Sequence, residues 1–253
     1  MPQEKTIRRI RQITDLSLSF LFPDVCQICH EHPAGKSDGY LCRACREGRG
    51  GLFHVVPPFC GRCGLPFDGD MDGDFQCGNC ADLNLRFDLA RSAVRTSPLI
   101  LEVIHRYKYQ HQLWFEPALV DLLETLLVSG LNQHSFDFVV PIPLHRIKER
   151  ERGFNQAQRL SHAVSKRLGL PCLPKALIRS RPTETRTRLS RRQRLQNVKQ
   201  AFEKGPQAHE VKGKRILLVD DILTTGATAS ACASVLKKSG AGSVVVATVS
   251  RGS

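Results

Sequence analysis

The chain has 253 residues, 41% hydrophobic and 24% charged, a balance that suits one large globular domain or a medium one plus a small one. No apolar run approaches the ~18 residues a membrane-spanning helix needs, which excludes a helical membrane span. The net charge of +13 is lopsided: residues 143–215 hold 20 Lys or Arg against 5 acids, and such a band draws in a nucleic acid or a small phosphorylated ligand unless it is simply a solvated face.

The opening MPQEKTIRRIRQITDLSLSFLFPDVC sets basic residues ahead of an apolar stretch, as a signal peptide does. LSLSFLF is short, however, and no small-residue cleavage site follows it. The expectation is a short amphipathic helix over residues 1–24 that packs on the body, in a cytoplasmic protein.

Residues 25–85 carry four CxxC pairs: Cys26 and Cys29, Cys42 and Cys45, Cys60 and Cys63, Cys77 and Cys80. Each pair can set two thiolates on one ion through a tight turn, and a structural zinc takes four in a tetrahedron. Eight cysteines therefore make two structural Zn2+ sites with none left over. A disulfide framework would need an exported chain, and no export signal is evident. The gaps between successive pairs are 12, 14 and 13 residues, each long enough for a short hairpin. Pairing 26/29 with 42/45, and 60/63 with 77/80, closes shorter loops than a cross-braced alternation and is favoured over it. Other apolar residues are few here, so metal binding is expected to supply much of the folding free energy. His30, His32 and His54 are expected at the surface, and Cys172 and Cys232 as ordinary buried thiols.

From residue 86 to 253 the pattern changes. DLARSAVRT reads as a strand, SPLILEVIHRYKY and WFEPALVDLLETLLVSG as helices, and FDFVVPIPL as a short buried strand. RGFNQAQRLSHAVSKRLGL reads as a helix stopped by Gly169 and Pro171. ALIRS and VKQAF read as strands on either side of a polar basic stretch, RPTETRTRLSRRQRLQN. KRILLVD is a strand, a helix runs from about Ala227 to Lys238, and SVVVATVS closes the series. Strands alternating with helices predict an α/β fold whose parallel sheet is covered on both faces.

RILLVDDILTTGATASA, residues 215–231, carries the most specific chemistry. Ligands of an open parallel sheet bind at the C-terminal ends of its strands. Asp220 and Asp221 stand at such an end, where carboxylates accept hydrogen bonds from sugar hydroxyls. Thr224, Thr225, Gly226, Ala227 and Thr228 then open a helix, whose free N–H groups and dipole favour a phosphate. Gly226 lets the backbone come close to a ligand. Two diol-binding acids followed by a phosphate cradle describe a ribose 5-phosphate.

The stretch resembles the phosphoribosyl pyrophosphate (PRPP) motif of type I phosphoribosyltransferases. With the double CxxC module, PIPLHRIKERERGFNQAQ and RPTETRTRLSRRQRLQNVKQAF, essentially the whole chain resembles the ComF family of ComF and GntX-type proteins. The resemblance implies a type I phosphoribosyltransferase-like domain behind a double zinc ribbon, PRPP bound with Mg2+, and a link to DNA uptake in natural transformation. It implies a pyrophosphate loop at Leu144, His145 and Arg146, with Arg152 and Asn155 as contacts to ligand or loop. It also implies a flexible loop over 181–197 carrying Arg186, Arg188, Arg191 and Arg192. One departure is Arg186 between Thr185 and Thr187, where the family pattern has glutamine. Three readings compete: a phosphoribosyltransferase with Asp220 and Asp221 at the reacting ribose, a non-catalytic PRPP sensor or single-stranded DNA handler, and a purely structural adaptor whose zinc ribbons contact partner proteins such as those of the DNA-uptake machinery. Phe154 and Phe202 are the aromatics of the basic band, too few for a stacking groove.

Overall fold

The computed structural model describes residues 24–69, 75–181 and 200–252. The helix expected over residues 1–24 lies, Asp24 apart, outside the described residues, and so do Arg186, Arg188, Arg191 and Arg192.

In the cysteine-rich segment, α1 (Arg43–Glu47) and α2 (Gly78–Asp82) start directly after Cys42 and Cys77, which are their N-caps. The expected hairpins are thus partly helical. The physical reason is that the unpaired N–H groups of a helix start suit a sulfur acceptor. The Cys42 sulfur accepts from the Cys45 N–H at 3.4 Å.

The body follows as β1 (Leu89–Arg95), α3 (Pro98–Tyr109), α4 (Glu116–Ser129), β2 (Phe138–Pro141), α5 (Arg146–Arg152) and α6 (Gln156–Leu168). Then come β3 (Leu177–Arg179), β4 (Phe202–Lys204), β5 (Arg215–Leu223), α7 (Ala227–Lys238) and β6 (Ser243–Arg251). Ser97 caps α3, its hydroxyl accepting from the Ile100 N–H at 3.3 Å, and Pro98 occupies the first turn where no N–H is needed.

The sheet has the order β1-β6-β5-β2, with every neighbouring pair parallel. β3 and β4 do not join it; they form a separate antiparallel pair. Leu177 and Phe202 bury one side of that pair while Ile178, Glu203 and Lys204 face water. A ribbon buried on one side only has no place inside a two-sided parallel sheet. In β5, Ile216 and Leu218 enter a core beneath α7, and Leu217 and Val219 enter one shared with α3, α4 and α6. The period-two alternation thus feeds both faces, as expected.

The second cysteine group was not expected where it lies. Cys60, Cys63, Cys77 and Cys80 belong to the core beneath α7, whereas Cys26 and Cys42 share a small cluster with Ala34. The apolar partners missing from the segment's own sequence come from the body. Among the described residues, no helix is long and apolar enough to cross a membrane.

Candidate functional site

The cysteines meet in two groups of four, Cys26/Cys29/Cys42/Cys45 and Cys60/Cys63/Cys77/Cys80, with each group's ligand atoms within 4.8 Å of one another. Sulfur separations are 3.8 Å for Cys26–Cys45, 3.7 Å for Cys29–Cys42, 3.7 Å for Cys60–Cys80 and 3.4 Å for Cys63–Cys77. Four sulfurs at ~2.3 Å from a zinc ion stand about 3.8 Å apart, so the donor set and its dimensions fit zinc. A disulfide would need ~2.05 Å. The grouping is sequential, not cross-braced. His32 is exposed, with Nδ1 3.6 Å from the Cys29 sulfur.

β5 and α7 build the second feature. Between them Gly226 adopts φ +77°, and an added Cβ would stand 3.3 Å from the Phe87 ring. Left-handed backbone and a close aromatic floor together require glycine. Asp220, Thr224, Thr225, Gly226, Ala227 and Thr228 line one open cleft together with Ile142 and Thr248. The loop and the first acid therefore converge as the sequence suggests.

The two acids do not act alike. Asp220 faces the cleft, whereas Asp221 turns inward and is 2% exposed. Asp221 forms a buried ion pair with Lys108 of α3 and accepts from the Gln156 amide at 3.0 Å. Burial, and then the Asp221 charge, push Asp220 well above the ordinary carboxylate range. Burial also works against a charge on Asp221, but the Lys108 ammonium and the bonds from Asp220 and Gln156 hold it below that range. The surroundings thus favour the charge on the inner acid over the outer one.

The turn after β2 is occupied with its own geometry. His145 caps α5, its Nδ1 accepting from the Ile147 N–H at 3.3 Å, with Leu144 beside it and Arg146 exposed. Asn155 is buried; it caps α6 by accepting from the Ala157 N–H at 3.0 Å and donates to the Ile142 carbonyl at 3.1 Å. Arg152 stacks 4.8 Å from the Tyr109 ring and donates to Gln156. Arg152 and Asn155 thus hold the loop and the inner acid's partner.

Sequence reasoning missed Lys108, Gln156, Thr248 and Arg251. One signal was available: Lys108 continues the i, i+4 stripe of Ile100 and Ile104, where a lysine among buried residues needs a partner. Arg251 ends the buried strand β6 and is itself 3% exposed. Cys232 is buried as expected, while Cys172 is only half-buried.

Residues 17–81 match a double zinc ribbon domain and residues 154–253 a phosphoribosyl transferase domain. Competence protein F of Haemophilus influenzae is 32% identical over 187 residues, which cover 72% of this chain and 80% of that protein. DNA utilization protein YhgH of Escherichia coli is 28% identical over 229 residues, covering 88% of this chain and 95% of that protein. Competence protein ComFC of Bacillus subtilis is 28% identical over 219 residues, 81% of each chain.

Proposed function

This chain belongs to the ComF family, and from that premise we propose that it binds PRPP, or a related ribose 5-phosphate, together with Mg2+ in the cleft between Asp220 and the 224–228 loop. One observation carries the reading: an acid and the first turn of a helix, twinned in the sequence by the TTGAT motif, line the same cleft. The N–H groups at the start of α7 and the threonine hydroxyls take the 5-phosphate. Asp220 takes a ribose hydroxyl, and Asp221, with its charge already matched by Lys108, holds the floor beneath. Mg2+ supplies charge stabilisation for the departing pyrophosphate; Asp220 is the acid of this chain placed to share it, since its raised proton affinity is relieved by a cation. Transfer of the phosphoribosyl group to a nitrogen acceptor is the activity proposed. The two four-cysteine centres hold zinc.

The test is calorimetric titration with PRPP and with ribose 5-phosphate, with and without Mg2+. Asp220→Asn is expected to lose binding while keeping its melting behaviour. Parental affinity in that variant would overturn the ribose assignment.

A DNA role is proposed beside it. The competence and DNA-utilization names of the relatives and the basic band at 143–215 support single-stranded DNA as a second ligand on the cytoplasmic side of an uptake machine. Affinity for a labelled single strand should then fall steeply with salt, because each phosphate contact releases counterions. Arg191→Ala with Arg192→Ala should weaken it. Absence of binding at low salt removes this role.

A further inference from the structure

We propose that Arg251 is a positioning residue that couples the second four-cysteine centre to the 224–228 loop, so that the loop keeps its ligand-ready form only while that centre holds its metal. The proposal rests on the reading of the cleft as a phosphoribosyl site, and it concerns what keeps that site in shape.

Arg251 is the last residue of β6 and is paired in register with Leu223, the last of β5. That register places its guanidinium at the exit of β5, where the loop begins. Nη1 donates to the carbonyls of Leu223 at 2.9 Å and Thr224 at 2.6 Å, and also to that of Gly252. On its other side Nε donates to the Cys63 carbonyl at 3.3 Å, and Nη2 stands 3.5 Å from the Cys63 sulfur. A buried cation is costly without compensating charge. The described partners of Arg251 are carbonyl oxygens and one sulfur. Four thiolates around a divalent ion keep a net negative charge, so the metal centre is the compensating group within reach.

The same centre reaches the loop by a second path. Arg62, between two of its cysteines, donates to the carbonyls of Leu85 and Phe87. Phe87 and Leu85 are the floor under Gly226, 3.3 and 3.6 Å from where its Cβ would be. The Arg86 N–H between them donates to the Ser230 hydroxyl of α7 at 3.0 Å. One clamp thus holds the loop's carbonyls and the other holds its floor. The first centre packs elsewhere: the Gln27 carbonyl accepts from Arg106 of α3 at 2.6 Å, and Leu41 joins the core of α3 and α4.

The two centres also differ in access. Cys29 and Cys45 of the first are partly exposed, whereas all four cysteines of the second are buried. The first should surrender its metal before the second.

The test uses zinc-loaded, full-length protein and a chelating dye that reports metal as it is released. Amide exchange is read by mass spectrometry across the loop, with Val139 and Val140 of β2 as an internal reference. Release of the first equivalent is expected to leave loop exchange unchanged. Release of the second should speed it by about 10-fold or more, the scale of a lost hydrogen bond to a charged group. Ribose 5-phosphate affinity should fall by a similar factor. In zinc-replete protein Arg251→Met should reproduce the acceleration without metal loss. Arg46→Met, which cuts the guanidinium bonds to the Leu41 and Asp38 carbonyls near the first centre, should not. Should Arg251→Met fail to fold, Arg251→Lys keeps the charge but cannot span the same acceptors, and an intermediate acceleration is expected. Loop exchange that stays parental after both equivalents leave, or in the folded Arg251 variants, overturns the coupling. So does acceleration shared equally by Val139 and Val140, which would be global opening. Parent protein that ignores ribose 5-phosphate yet shows the loop response would refute the ligand reading and leave the coupling standing.

Discussion

Replacing Lys108 with methionine isolates the charge on which the inner acid depends. The Lys108 side chain is 15% exposed and that of Asp221 3%, so their ion pair is largely shielded from water. Methionine keeps the apolar stem and removes the ammonium. Asp221 then retains the bond from Asp220 and the Gln156 amide at 3.0 Å but has lost the cation that balances its charge. Left ionised, such an orphan costs roughly 3–5 kcal/mol. Its escape is to take up a proton, and from an ordinary value near 3.9 that costs about 4 kcal/mol at pH 7, at about 1.4 kcal/mol per pH unit. Both routes predict a loss of about 4 kcal/mol at neutral pH. They part on acidification, because proton uptake becomes cheaper and the loss should shrink to about 1.5 kcal/mol at pH 5. The signs agree with the folded state. In the parent, Asp221 is held low, so its stabilisation is present above the ordinary carboxylate range and fades as pH falls. In the variant, burial alone raises it, so its stability is full at low pH and is lost as pH rises. Urea denaturation of parent and variant at pH 7, 6 and 5 measures the gap. A loss below about 1 kcal/mol at pH 7, the range of an exposed pair, refutes the buried ion pair. A loss that does not change with pH refutes proton uptake. Lys108→Met combined with Asp221→Leu should recover much of the stability, since removing both charges leaves no orphan.

Elemental analysis of protein purified without added metal should find zinc at both four-cysteine centres, two ions per chain; intact disulfides with no metal would reverse that reading. Gly226→Ala forces an L-residue to φ +77° against the Phe87 ring and should cost about 1–2 kcal/mol in a thermal melt, with weaker ribose 5-phosphate binding; an unchanged melt would place the loop otherwise. Burial and Asp221 favour the proton on Asp220, so binding Mg2+–PRPP should expel it and tighten as pH rises; calorimetry in two buffers of different ionisation enthalpy reads the proton, and zero release would remove Asp220 from the ligand.

The elements that the sequence announced most clearly are those whose signal is complete within one short stretch. ILLV and SVVVATV are apolar runs long enough for strands buried on both sides, and they form β5 and β6. TTGAT declares a strand-to-helix turn through its glycine, and the turn is there. The division between two adjacent aspartates was hidden, because Lys108 and Gln156 come from helices far away in the chain. The burial of the second cysteine group was hidden for the same reason: its apolar surroundings belong to α7 and the sheet. β3 was legible in ALIRS, but the strand read in VKQAF meets β4, Phe202–Lys204, only at Phe202, and the antiparallel pairing depends on which side each strand buries, which three residues carry too short an alternation to say.

In the order β1-β6-β5-β2, the strand with a neighbour on each side at β1 and β5 is the last of the six to be synthesised. While a nascent chain is still emerging, β1 has no strand partner on its inner edge, and its apolar face is open to misassociation. Its outer edge is already spoken for: the Val55 N–H donates to the Ala93 carbonyl at 3.0 Å and the Arg95 N–H to the Phe53 carbonyl at 2.7 Å. The cysteine-rich segment precedes β1 on the ribosome, so a metal-loaded ribbon can cradle that strand until residues 243–251 arrive and close the sheet in one late step.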